Sequence, residues 1–243
     1  MLCAPSLAVL GAVFLWPLGA SVAASFTRDS AFTLAHYETV WRLYTRDVLY
    51  TVGVATAGTA LTFAIAIPAC GWIRLRAFGP VELLLKVPLF VPFVIVGHAW
   101  RVALNPYAPE LVGSWAGIAL ALAWKHLGLV AVLLLGAFRG VDEAYLEAAR
   151  DVGATSARLV RDILLPMSRP ALVVSGILIF SSMLASFSIP LMMGRGGGPQ
   201  MLMIDVYYRY GQHGDFATAS ALGVVAYVLA MGAALVYVRR LAP

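Results

Sequence analysis

The chain has 243 residues, of which 61% are hydrophobic and 12% charged, with a formal net charge of +5. Soluble domains carry about 25% charged residues, so this composition and a mean hydropathy of +0.87 exclude an ordinary soluble domain and indicate an integral membrane protein. The basic residues are scattered along the chain rather than gathered in one run, which gives no reason to invoke nucleic acid.

A spanning helix needs roughly 20 apolar residues, and six segments qualify, at 5–25, 49–72, 83–103, 114–137, 170–193 and 217–238. The first, PSLAVLGAVFLWPLGASVAAS, also has the form of a signal peptide with a small-residue cleavage site near Ala23, but lacks the basic start. Retention and cleavage both stay open at this point. Cys3 and Cys70 are isolated, so they give neither a disulfide framework nor metal spacing, and His36, His98, His126 and His213 are dispersed. Pro68, Pro88, Pro92 and Pro190 predict kinked helices. His98, within FVPFVIVGHAW, reads either as a buried polar residue or as a solute contact.

The fourth segment places Lys125 and His126 near its middle, where an ionisable group is costly and marks a pathway or a partner. The alternative is a lysine that reaches a water-filled cavity or pairs with a carbonyl. Gly113 with Gly117, and Gly136 with Gly140, are small-residue pairs suited to helix packing.

Between Asp142 and Pro170 comes the one polar, charged interruption, VDEAYLEAARDVGATSARLVRDILLPMSRP. Asp142 is a good N-cap, and the acidic Glu143 suits the first turn of the helix that follows. Alanines 144, 148 and 149 offer a small-residue surface, while Glu143, Glu147 and Arg150 fall on a neighbouring face. Gly153 is placed to stop this helix in the left-handed region. Thr155 or Ser156 then caps a second helix, SARLVRDILL, expected to end before Pro166. The pair predicts a helix-turn-helix knuckle.

In the fifth segment Ser175, Ser182 and Ser186 fall near one line of a helix, which suits either a hydrophilic pathway or interhelical packing. The run GRGGGPQ, Gly194 to Gln200, lacks the lysine and hydroxyl of a nucleotide-binding loop and reads as a flexible loop. No nucleophile elbow, HExxH or paired-carboxylate site occurs.

Glu147, Ala148, Ala149, Gly153, Ile163, Leu165 and Pro166 form the pattern Glu-Ala-Ala-x3-Gly-x9-Ile-x-Leu-Pro. This resembles the EAA loop of permease subunits in type I binding-protein-dependent ABC importers. The resemblance implies an all-α, polytopic fold of about six transmembrane helices, with a cytoplasmic coupling helix between helices 4 and 5. Residues 1–243 would form a single permease domain, with 1–48 as first helix and external loop, 49–243 as a five-helix core and 142–169 as the coupling loop. The seven motif residues would dock on a cytoplasmic ABC ATPase. A second permease subunit, the same chain or a sister, would complete the pathway, and an extracytoplasmic solute-binding protein would deliver the solute. The chain would then be no enzyme and hold no cofactor, since the ATPase binds ATP. Lys125, His126, Ser175, Ser182 and Ser186 are pathway candidates from the residues alone.

With the knuckle in the cytoplasm, that side holds Arg74, Arg76, Lys86, Arg139, Arg150, Arg158, Arg161, Arg169, Arg239 and Arg240, ten basic residues. The other side holds six, Arg28, Arg42, Arg46, Arg101, Arg195 and Arg209. The excess predicts both termini in the cytoplasm of a bacterial-type inner membrane. The stretch from Ser188 is similar to that of polyamine-type permeases, which shade into thiamine, ferric iron and phosphonate importers. Two other classes are weighed: a stand-alone carrier or channel, which would need inverted repeats that are not seen, and a membrane-embedded enzyme using Lys125 and His126, for which no second catalytic group appears.

Overall fold

Capping side chains and prolines set most helix boundaries in the computed structural model, which describes residues 9–76, 79–194 and 198–241. The helices are α1 (Gly11–Ser25), α2 (Ala35–Arg76), α3 (Gly79–Phe90), α4 (Phe93–Leu104), α5 (Trp115–Arg139), α6 (Glu143–Asp151), α7 (Ser156–Met167), α8 (Arg169–Leu184), α9 (Ser188–Met193), α10 (Leu202–Gly211) and α11 (Phe216–Leu241). A two-stranded hairpin, β1 (Thr27–Arg28) and β2 (Ala31–Phe32), turns through Asp29 and Ser30 at φ 50° and 67°. Arg195, Gly196 and Gly197 of the glycine-rich run, and Cys3, lie outside the described residues.

Among the described residues α2 and α5 are each long and apolar enough to cross a membrane. Two bent pairs also qualify, α3 with α4 at 108° and α7 with α8 at 78°, while α1 and Phe216–Gly232 are shorter apolar helices. The fold is all-α and membrane-embedded, as expected.

Three expected boundaries need correction. The second segment was placed at 49–72, yet α2 starts at Ala35: its first turns carry Glu38, Arg42, Arg46 and Asp47, which end an apolar run without ending a helix. The third segment, 83–103, is two helices, because Pro92 supplies no N–H to continue the first. The fifth, 170–193, stops at Leu184 and resumes as α9, so Ser186 lies past the helix end and the line through Ser175, Ser182 and Ser186 does not exist.

The chain divides into two compact units, 1–51 with 199–231, and 52–198 with 232–243. The first has a small core of Val40, Leu202, Ala221 and Leu222. There the Thr51 hydroxyl accepts from Leu202 N at 2.8 Å and the Asp47 carboxylate from Gln200 N at 2.7 Å, fixing the entry to α10. In the second unit α5 is the central helix, started by Ser114, whose Oγ accepts from Gly117 N. Its most apolar stretch is 72% buried, against 28% for that of α2. Both α3 and α8 pack on α5, and α4 packs on α9. Gly128 lets α3 approach α5 closely, since a Cβ there would lie 3.0 Å from Leu89 N.

Candidate functional site

The knuckle forms as its sequence predicts. Asp142 Oδ1 accepts from Ala144 N at 3.0 Å and starts α6, whose only buried residue is Leu146. Glu147 and Ala148 are exposed and Ala149 half-buried, beside Tyr145 and Val152 at 58% and 85% exposure. Gly153 takes φ +82°, which L side chains rarely adopt, and turns the chain. Thr155 Oγ1 accepts from Arg158 N and starts α7.

Pro166 does not end that helix. Residues 159–164 adopt a wide turn in which Leu165 N donates to the Val160 carbonyl, five residues back. Such a turn relieves the clash between a proline ring and the carbonyl four residues earlier, so α7 runs on to Met167. Leu164 is buried, Ile163 and Leu165 half-buried, and Pro166 exposed. Of the motif residues, Ile163 and Leu165 are thus partly covered, whereas Pro166, Glu147 and Ala148 face out.

What anchors α6 is a residue that sequence reasoning missed. Arg74, at the end of α2, donates through Nε to the Phe138 carbonyl at 2.9 Å and through Nη2 to the Val141 carbonyl at 3.1 Å. Its Nη1 reaches Glu143 Oε2 at 2.7 Å, and Arg150 holds the other Glu143 oxygen at 2.8 Å. Beside Arg74 first, and Arg150 second, the Glu143 carboxyl is held below its ordinary pKa. The partners lie 64 to 69 residues from Arg74, so no spacing signal announces them. One turn before Arg74 in α2, Gly71 meets Val160, where a Cβ would come within 2.5 Å of Cγ2. Beside that contact α2 and α7 border a largely apolar cavity of about 340 Å³ lined by Ile67, Pro68, Trp72, Leu75, Val160 and Leu165, among others.

The second polar cluster lies at the break between α3 and α4. Lys125 Nζ donates to the carbonyls of Pro88 at 2.8 Å, Leu89 at 3.2 Å and Val91 at 2.7 Å, and lies 4.7 Å from the centre of the Phe93 ring. Of the two readings of this lysine, the geometry supplies the carbonyl contacts. His126 Nδ1 is 2.8 Å from the Leu122 carbonyl, which can only accept; Nε2 is therefore the acceptor for the Ser182 hydroxyl at 2.9 Å. Ser175 is fully buried and bonds back to the carbonyls of Ala171 and Leu172 in its own helix. Ser186 is buried, with no partner for its hydroxyl among the described residues. His98, offered as buried or solute-contacting, is exposed on α4. The structure thus joins His126 to Ser182, sets Lys125 and His126 against the same Phe93 ring, whose centre is 4.7 Å from the ammonium and 5.9 Å from that of the imidazole, and places Ser175 and Ser186 apart from them. Among the described residues no three His, Cys, Asp or Glu side chains gather as a metal site.

A membrane bundle with broken spans and an exposed, arginine-anchored helix between two of them has the architecture of a transport permease. Residues 58–243 match the family described as "Binding-protein-dependent transport system inner membrane component", and the chain belongs to that family. It is a permease subunit of an ABC importer, a non-catalytic component, with ATP hydrolysis left to a separate subunit. The trehalose/maltose transport system permease protein MalF of Thermococcus litoralis is 26% identical over 187 residues, 68% of this chain. The chain spans 63% of the length of that relative. The molybdenum transport system permease protein ModB of Escherichia coli K12 is 28% identical over 177 residues, 66% of this chain and 77% of its own length. Among solved structures, a bacterial ABC transporter involved in the import of the polysaccharide alginate has the same fold, with a TM-score of 0.68 at 15% identity over 98% of this chain and 94% of that one. These relatives carry sugar and molybdenum names, and none of them carries the polyamine, thiamine, ferric iron or phosphonate names that the stretch from Ser188 suggested. The stretch from Ser188 that suggested those solutes forms α9, α10 and the start of α11.

Proposed function

We propose that this permease carries a molybdenum-containing solute through the inner membrane, with a sister or identical chain as the other half of the pathway. The support is length: the ModB match covers 77% of the relative, against 63% for MalF. A sugar is the second reading, carried by the 187-residue MalF match. An extracytoplasmic binding protein hands over the solute. Uptake of molybdate and of trehalose into proteoliposomes holding the complete transporter separates the two. Competition by trehalose but not by molybdate overturns the first reading.

Coupling rests on one observation: α6 buries only Leu146, while Arg74 and Arg150 fix its acidic first turn. A short helix anchored at one end and exposed elsewhere can take up force from a partner without unfolding. Glu147, Ala148 and Ala149 would lie in a cleft of the ATPase, with Gly153, Ile163, Leu165 and Pro166 setting the angle of the knuckle. Ala148→Arg, on an exposed position, should leave insertion normal and abolish both ATPase co-purification and uptake. Normal uptake in that variant would refute docking through α6. On this reading α6 and both termini are cytoplasmic, so a cysteine at Ala148 reacts with an impermeant thiol reagent from the cytoplasmic side only. For the solute route, His126 with Ser182, and Ser186, are the polar side chains proposed to face it.

A further inference from the structure

In an unbroken helix the Pro88 carbonyl would accept from the N–H of residue 92, but residue 92 is proline and has none. The chain turns there, and α4 begins with Pro92 as its N-cap. At this helix end Val91 N reaches the Pro88 carbonyl only at 3.4 Å, and Pro88 is buried while Leu89 and Pro92 are exposed; in an apolar environment backbone carbonyls without a good donor are costly. The carbonyls of Pro88, Leu89 and Val91 converge on Lys125 Nζ, at 2.8, 3.2 and 2.7 Å. The Phe93 ring lies against the same nitrogen at 4.7 Å. Among the described residues Lys125 forms no ion pair, and the residue is 7% exposed. An ammonium has three N–H donors, and here each has one carbonyl. Three neutral oxygens and an aromatic face are the surroundings that proteins give to a bound monovalent cation.

We infer that the break between α3 and α4 is a monovalent-cation site which the chain fills with its own lysine. Lys125 is a positioning residue: it belongs to α5, and through the three carbonyls it fixes the 108° angle between the two half-spans. One half, α3, is bound to α5 through the Gly128 contact and through Glu82, which holds Arg139 at the end of α5. The other half, α4, lies on α9, so closely that a Cβ on Gly97 would come within 2.8 Å of the Ile189 carbonyl. Both α4 and α9 also touch α5, though α3 packs on it most extensively, so the lysine ties the half packed most extensively on α5 to the half seated mainly on α9. This inference holds for either solute considered above.

The test uses the complete transporter in proteoliposomes. Lys125→Ala removes the ammonium and leaves its cage. The maximal uptake rate should fall roughly tenfold or more, the scale set by leaving buried acceptors unpaired, at an unchanged half-saturating solute concentration. Added propylammonium should restore the rate and raise the thermal stability of the variant, whereas tetrapropylammonium, which has no N–H, should do neither. If the variant fails to assemble, propylammonium present during solubilisation should restore the yield. Pro92→Ala with Lys125→Met gives the Pro88 carbonyl an N–H of its own and should assemble, hydrolyse ATP and not transport. A shift in half-saturating solute concentration alone would make Lys125 a solute contact and overturn the inference. So would indifference of Lys125→Ala to propylammonium in rate, stability and yield, or normal transport by the double variant.

Discussion

At Pro92 the chain turns through 108° and at Ser168 through 78°, and the two turns are held by different means. The first has local bonds from Val91 N to the Pro88 carbonyl at 3.4 Å and from Val96 N to the Pro92 carbonyl at 3.1 Å, and in addition a lysine from another helix, 34 to 37 residues away in sequence, on three of its carbonyls. The second is local. Ser168 N donates to the Leu164 carbonyl and Leu172 N to the Ser168 carbonyl, while the Ser168 hydroxyl, though buried, has no partner among the described residues. A break closed by its own backbone can lie next to a knuckle that is pushed by a partner, because its bonds travel with it. A break held also from outside is tied to the helix that supplies the hold. The difference assigns the first turn to coupling between helices and the second to shape.

The largest effect should come from moving α3 off α5. Gly128→Leu puts a side chain where only 3.0 Å separates a Cβ from Leu89 N, and overpacking of this kind costs about 1–3 kcal/mol or more. It should also draw the Pro88 carbonyl away from Lys125, so uptake should be lost and the complex destabilised. A fully active Gly128→Leu transporter would mean that the first break does not depend on this contact.

Next is the anchor of α6. Arg74→Ala strips two backbone carbonyls and one carboxylate oxygen of their donor; with hydrogen bonds to charged groups worth roughly 1.5–3 kcal/mol each and Glu143 partly exposed, a net loss of about 2 kcal/mol is expected. ATPase activity should become independent of solute, while the thermal stability of the detergent-solubilised complex falls. The same ion pair has a pH signature. The Glu143 carboxyl is depressed in the folded state, so its stabilisation is complete above the ordinary carboxylate pKa of about 4.3 and is lost as pH falls through the lower folded value. The stability gap between wild type and Glu143→Gln should therefore be open at neutral pH and close in that acidic range. A gap independent of pH would show that the charge does not contribute.

Smaller effects should follow at the second break. Pro166→Ala returns an N–H to a helix that already passes through this position, and should change stability by less than about 1 kcal/mol and leave the bend in place. Loss of the bend would show that the proline, and not the backbone bonds around Ser168, makes it. Smallest is Ser168→Ala, which deletes a buried hydroxyl without a partner and should be neutral or stabilising by a few tenths of a kcal/mol. Measurable destabilisation would place a partner there and bring the two breaks closer in kind.

The helical class, the membrane environment and the knuckle were all legible in the residues, for local reasons. Hydropathy decides whether a segment enters lipid, Asp142 and Thr155 cap through groups two or three residues away, and Gly153 is the residue that a left-handed turn requires. The family match over 58–243 agrees with the motif that pointed to it. Boundaries failed where polar residues continue a helix beyond its apolar run, as at the start of α2, and where a helix absorbs a proline, as at Pro166. The solute class was read from a weakly patterned stretch, and the relatives found carry other solute names.

The sequence alone determined that the chain is helical and membrane-embedded and where α6 starts and stops, since hydropathy, caps and a left-handed glycine act within a few residues; of its prolines, Pro92 stands at a break while Pro68, Pro88 and Pro166 lie inside helices. Only the tertiary structure decided which group meets the carbonyls left over. Arg74 and Lys125 are an arginine at a helix end and a lysine in a span; each is defined by oxygens more than thirty residues away, brought within 3.2 Å by the packing of α2, α3 and α5. Hydrogen bonds have a reach of about 3 Å, and no periodicity within a helix records which distant backbone will come that near.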